Sequence, residues 1–124
     1  MVLPVTFTFV SCYAIVLVCL TAWIGLYRGK TNALRGEGQD PVLFKRSRFY
    51  GNLIENGPAM ALVLGASEAM GLSAIWLWIA VSSFVAGRIL YFVLYDQKVR
   101  AVPMIMTQFP AAAIGVWVIL TIWS

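Results

Sequence analysis

Residues 48–95 read RFYGNLIENGPAMALVLGASEAMGLSAIWLWIAVSSFVAGRILYFVLY. Two apolar stretches, approximately Phe49–Met70 and Leu72–Tyr95, are each long enough to cross the hydrocarbon of a bilayer, which takes about 20 helical residues. They meet at Ala69-Met70-Gly71-Leu72, a connection so short that the two helices must be antiparallel neighbours. Within the first stretch, Arg48, Asn52 and Glu55 fall at i, i+4 and i+7. At about 100° per residue they share a wedge of roughly 60° on one helix face. A charged side chain at bilayer depth costs about 2.5–3.5 kcal/mol on insertion scales. The group must therefore face a protein interior or a wet cavity.

The rest of the chain reads the same way. Of its 124 residues, 61% are apolar and 11% charged, with a mean hydropathy of +0.86. Soluble domains run nearer 45–50% apolar and about 25% charged, which excludes an ordinary soluble globular domain. Val5–Tyr27 and Val102–Trp123 supply two further spans of membrane length. The first lacks a basic leader and its apolar run is too long for a cleavable signal peptide. Asp40-Pro41 is a good helix start, so the second helix is expected from Pro41 to about Met70, standing proud of the hydrocarbon at its basic end. Gly57-Pro58 and Pro110 are expected to loosen or kink their helices. The expected fold is an all-α integral membrane protein, a four-helix transmembrane bundle.

Charge sets the orientation. Arg28, Lys30, Arg35, Lys45, Arg46 and Arg48 flank the first connection, and Arg88, Lys98 and Arg100 lie in or after the third span. The second turn and the two termini carry no Lys or Arg. By the positive-inside rule, connections one and three are cytoplasmic and both termini are non-cytoplasmic. Trp76, Trp78, Trp117 and Trp123 cluster toward the far end as an aromatic belt would. Lys30, Lys45, Arg46 and Lys98 read as topology determinants, and Glu68 and Asp96 as solvated or interfacial residues at helix ends. No basic stripe with interleaved aromatics lies outside the membrane, so the positive charge is no argument for nucleic acid. Cys12 and Cys19 lie two turns apart on one helix, about 10.5 Å, beyond disulfide reach, and read as small lipid- or helix-facing residues. The chain has no His, which excludes a zinc or haem site built on imidazole.

The third span repeats the pattern of the second. Arg88, Tyr91 and Tyr95 stand at i, i+3 and i+7, on one face and in the same half of the membrane as Arg48 and Asn52. Two antiparallel neighbours thus offer two arginines, a carboxylate, an amide and two phenols at similar depth. Guanidinium groups bind carboxylates bidentately, a carboxylate holds an ammonium, and an amide both donates and accepts. Such a set suits a small zwitterion with several carboxylates. Mutual neutralisation of Arg48 and Glu55, with Arg88 snorkelling, would be the structural alternative. A cation transporter would need an embedded carboxylate such as Glu55, but arginines on both helix faces would repel its cargo.

Arg48-x-x-x-Asn52-x-x-Glu55-x-x-Pro58 followed by Arg88-x-x-Tyr91-x-x-x-Tyr95 resembles the MAPEG family, the membrane-associated proteins in eicosanoid and glutathione metabolism. The likeness covers roughly Arg28 to Pro103, and Asn56 after the motif glutamate is closer to the microsomal glutathione transferase branch and its bacterial members. The resemblance implies a single MAPEG-like domain over residues 1–124, assembled as a homotrimer with glutathione between neighbouring subunits. It assigns glutathione binding to Arg48, Asn52, Glu55, Arg88, Tyr91 and Tyr95, with Arg28 contributed by a neighbour and Tyr50 able to contribute across the interface. Arg100, three residues before Pro103, matches the arginine that activates the thiol. Glutathione would be the co-substrate, no metal is needed, and a bacterial inner membrane is the expected location. The implied reaction is attack of glutathione thiolate on a lipophilic electrophile, or reduction of a lipid hydroperoxide. A non-catalytic lipid-binding or scaffold protein of the same fold is the alternative.

Overall fold

The computed structural model describes residues 3–31, 41–95 and 101–124. They form four helices: α1 (Pro4–Thr31), α2 (Pro41–Ala69), α3 (Ala74–Val93) and α4 (Ala101–Trp123), with no strand among the described residues. α2 packs against all three other helices, α3 lies along α4, and α1 rests mainly on α2. The first connection and residues 96–100, which include Asp96, Lys98 and Arg100, lie outside the described residues.

Three helices, α1, α3 and α4, are long and apolar enough to cross a membrane. The expectation of four apolar spans is corrected on this point. α2 has the length, at 29 residues, but Lys45, Arg46, Arg48, Asn52, Glu55 and Asn56 crowd its first half and lower its hydropathy. Of these groups Asn52 is buried against the neighbouring helices, while Arg48 and Glu55 stay exposed. Every helix carries exposed apolar side chains, among them Val18, Leu62, Val93, Phe109 and Trp123. A water-soluble monomer rarely shows so apolar an exterior, whereas lipid is its natural solvent.

Between α2 and α3 the chain turns on Gly71, whose φ of 92° places it in the left-handed region. The Leu72 N–H donates to the Ser67 carbonyl at 3.0 Å and the Gly71 N–H to the Glu68 carbonyl at 3.1 Å. This is a Schellman closure, which satisfies the last carbonyls of α2 and needs glycine at the positive-φ position. It delays the start of α3 to Ala74, two residues later than the apolar run alone suggests.

The core lies toward this turn. Val5 and Phe9 of α1, Met60 and Leu64 of α2, Leu77 and Phe84 of α3 and Ile114 of α4 are all buried in one cluster. Phe9 and Phe84 meet edge to face at 5.3 Å between centroids, a favoured aromatic geometry. Glu68, expected as a solvated helix-end residue, has a structural task instead. Its carboxylate accepts the Val5 N–H at 3.0 Å and the Thr6 N–H at 2.9 Å, capping N–H donors that have no partner within the first turn of α1. Tyr13 makes the second tie between α1 and α2. Its ring rests on Gly57, where a Cβ would collide with it, and its hydroxyl donates to the Leu53 carbonyl at 3.0 Å. α2 runs unbroken through Pro58, as α4 does through Pro110. Cys12 and Cys19 are both exposed and free.

Candidate functional site

The end of the bundle away from the Gly71 turn is polar and aromatic. Asn52 is only 5% exposed, and its amide uses both N–H groups, one to the Arg48 carbonyl at 3.0 Å and one to the Tyr91 hydroxyl at 2.9 Å. α2 and α3 therefore meet across the two sequence motifs, at the residues that the motifs share. Asn56 extends the chain of contacts. It donates to the Asn52 carbonyl at 2.7 Å and accepts from Gln108 of α4 at 3.1 Å.

Arg88 is the most confined cation described, at 4% exposure. Its Nε donates to Thr107 Oγ1 at 3.1 Å, its Nη2 faces the Met104 sulfur at 3.5 Å, and its guanidinium lies 4.8 Å from the centre of the Tyr91 ring. Nη1 is buried with no partner, and among the described residues no carboxylate faces the group. A buried guanidinium without an anion carries a large desolvation cost. It is a donor waiting for an acceptor.

Aromatic rings wall this region. Phe49, Tyr91, Phe92 and Tyr95 form a run of ring contacts between α2 and α3 with centroid separations from 5.3 to 6.4 Å. Lys45 lies 4.2 Å over Phe92, and Arg46 lies over Trp23 and Tyr27 of α1 at 4.1 and 4.7 Å. These cations are held against ring faces, which favours them through the ring quadrupole. They are placed as anchors of the helix ends, beyond their expected part in topology.

Arg48 and Glu55 behave differently from Asn52. Both are exposed on α2, and among the described residues neither forms an ion pair. The structural alternative of mutual neutralisation is thus not realised, and seven residues, about 10.5 Å of rise, separate the two. On the opposite flank of α2, Thr21, Arg28, Ser47 and Tyr50 line a cleft of about 380 Å³ between α1 and α2. The Thr21 and Tyr50 hydroxyls lie 3.0 Å apart there, and the Ser47 hydroxyl is buried without a partner. The expected site residues therefore fall into three places. Asn52, Arg88, Tyr91 and Tyr95 converge within the chain, Arg48 and Glu55 point outward beside them, and Arg28 sits with Tyr50 on the far side. Arg100 lies outside the described residues.

Sequence reasoning passed over Thr107 and Met104, the α4 groups that touch Arg88, whereas Gln108, which reads from the sequence as an interhelical hydrogen-bond partner without a functional role, does bond Asn56 of α2. The available signal was a Thr-Gln pair inside an otherwise apolar helix, since polar side chains in such helices commonly bond a neighbour.

Three apolar helices of membrane-spanning length, a fourth that carries polar and ionic groups, and a lipid-suited exterior define a polytopic integral membrane protein with a polar site between its helices. The chain belongs to the MAPEG family, whose family model matches residues 6–123, nearly the whole length. It is thus a membrane protein of the family associated with glutathione and eicosanoid metabolism. No curated protein and no solved structure matches it.

Proposed function

We propose that this protein is a membrane glutathione transferase, or peroxidase, that presents glutathione as a thiolate to a lipophilic electrophile or a lipid hydroperoxide. The observation that carries the reading is the buried Arg88 guanidinium, whose Nη1 has no partner, beside the Asn52–Tyr91 hydrogen bond. A tripeptide with two carboxylates, one ammonium and two amides answers these groups, with Arg48, Glu55 and Tyr95 bordering the same region and Arg28 reaching it from another subunit. A free thiol titrates near 8.5, and a cation beside the sulfur raises the thiolate fraction. Arg100 is assigned that activating role. Conjugation then joins the sulfur to the electrophile as its leaving group departs. No nucleophile from the protein is required.

Assembly as a homotrimer fits the exposure of Arg48 and Glu55. Ionic groups on an outer helix face at bilayer depth are expensive against lipid, and a second copy of the chain would cover them. The cleft holding Arg28 and Tyr50 lies about 160° around α2 from Asn52, so each subunit would offer complementary half-sites to its neighbours on both sides. Both termini are assigned to the non-cytoplasmic side, and the membrane to a bacterial plasma membrane.

Conjugation of a model electrophile by purified Arg100→Ala tests the mechanism. Turnover is expected to vanish while glutathione still binds, and full turnover would overturn the assignment of thiol activation.

A second reading, non-catalytic lipid binding, is favoured by an apolar groove of about 400 Å³ between α1 and α3, lined by Phe9, Cys12, Val16, Trp78, Val85 and Ile89 among others. Absence of glutathione-dependent turnover against several electrophiles, with lipid co-purifying, would select it.

A further inference from the structure

Resting on the reading of Arg88 as a glutathione-binding group, we infer that Thr107 is the residue that positions it. An arginine side chain has many rotamers to lose, so a guanidinium that binds a ligand well must be fixed before the ligand arrives. α4 supplies the fixing. The Thr107 hydroxyl donates its only proton to the Pro103 carbonyl at 2.8 Å, a bond within its own helix. With that proton spent, its oxygen can only accept, and it accepts the Arg88 Nε–H at 3.1 Å. Thr107 itself is 1% exposed, so no water competes for either bond.

The neighbouring residues make the arrangement possible. At Gly87 an added Cβ would stand 2.6 Å from Thr107 Oγ1 and 2.9 Å from both the Pro103 carbonyl oxygen and the Thr107 backbone nitrogen. Two of those atoms are main chain and cannot yield, so only glycine lets α3 approach α4 closely enough for the bond to form. Nε is then tied to Thr107, Nη2 rests on the Met104 sulfur, and the guanidinium carbon stands over the Tyr91 ring. The remaining nitrogen, Nη1, is the buried one without a partner. Thr107 thus determines which edge of the guanidinium is left for a carboxylate of the bound peptide.

The test uses purified full-length protein, with glutathione as the probe and two independent readouts. Thr107→Val keeps the branched shape and removes the acceptor. It is expected to weaken glutathione binding by about tenfold, with the loss falling on KM for glutathione more than on kcat. Thr107→Ser, which retains the hydroxyl, is expected to restore binding. In protein carrying ¹⁵N-labelled arginine, the Arg88 Nε–H is expected to exchange slowly in the parent and in Thr107→Ser, and rapidly in Thr107→Val. If Thr107→Val binds like the parent, or its Arg88 Nε–H stays protected, while Arg88→Ala loses affinity, the inference about Thr107 is overturned alone. If Arg88→Ala binds as well as the parent, or the parent binds no glutathione, the underlying reading of the site fails with it.

Discussion

The two ends of the bundle are built on opposite terms. Near Gly71, apolar side chains from all four helices fill one another's gaps, and the polar groups described there are mostly satisfied within the chain: Glu68 caps α1, and the Schellman turn closes α2. At the other end the chain leaves debts open. Arg88 Nη1 and the Ser47 hydroxyl are buried without partners, and Arg48 and Glu55 stand exposed without an ion pair among the described residues. Buried polar groups left open in the isolated chain are accounted for where something outside the chain completes them. One end holds the fold, and the other is shaped for a guest and a neighbour.

That contrast can be broken at either end. The largest effect is expected at the packed end from Gly57→Leu, which drives a side chain into the Tyr13 ring. Overpacking of a tight contact typically costs about 1–3 kcal/mol, and this collision lies at or above the top of that range. Little monodisperse protein should survive size-exclusion chromatography, and a well-behaved Gly57→Leu preparation would show that the α1–α2 contact is not required. At the open end, Arg48→Ala and Glu55→Gln should each weaken glutathione about tenfold, with thermal unfolding close to the parent. Unchanged affinity in both would remove these residues from the binding site. The smallest effect belongs to Glu68→Ala, which deletes the cap on α1 and should cost about 1 kcal/mol. It should lower the unfolding temperature by a few degrees while leaving glutathione affinity alone. A fall in affinity there would mean that the two ends are coupled.

Much of this was legible in the sequence, in proportion to how local the cause was. Hydropathy and helical period located the helices to within a few residues, and the matched spacing of Asn52 with Arg88 and Tyr91 pointed to helix faces that do meet. Periodicity gives the angle between residues on one helix but not where the core begins. The 60° wedge of Arg48, Asn52 and Glu55 straddles that boundary, so Asn52 is buried while the other two are exposed. The tally of apolar spans differs for a related reason: polar side chains, buried and exposed alike, crowd the first half of α2, and a window average registers them only as low hydropathy. Contacts such as Glu68 with Val5, Tyr13 with Leu53 and Thr107 with Arg88 join residues 19 to 63 positions apart. No local pattern encodes such pairs, because each depends on how two separately formed helices are set against each other.

The seating of Tyr13 on Gly57 has a consequence for descent. The two positions form a single heritable unit: a lineage can enlarge residue 57 only after, or together with, shrinking residue 13. Any intermediate with both side chains large would lose its first helix from the bundle. Variation at these sites should therefore travel in pairs, whatever chemistry the opposite end acquires.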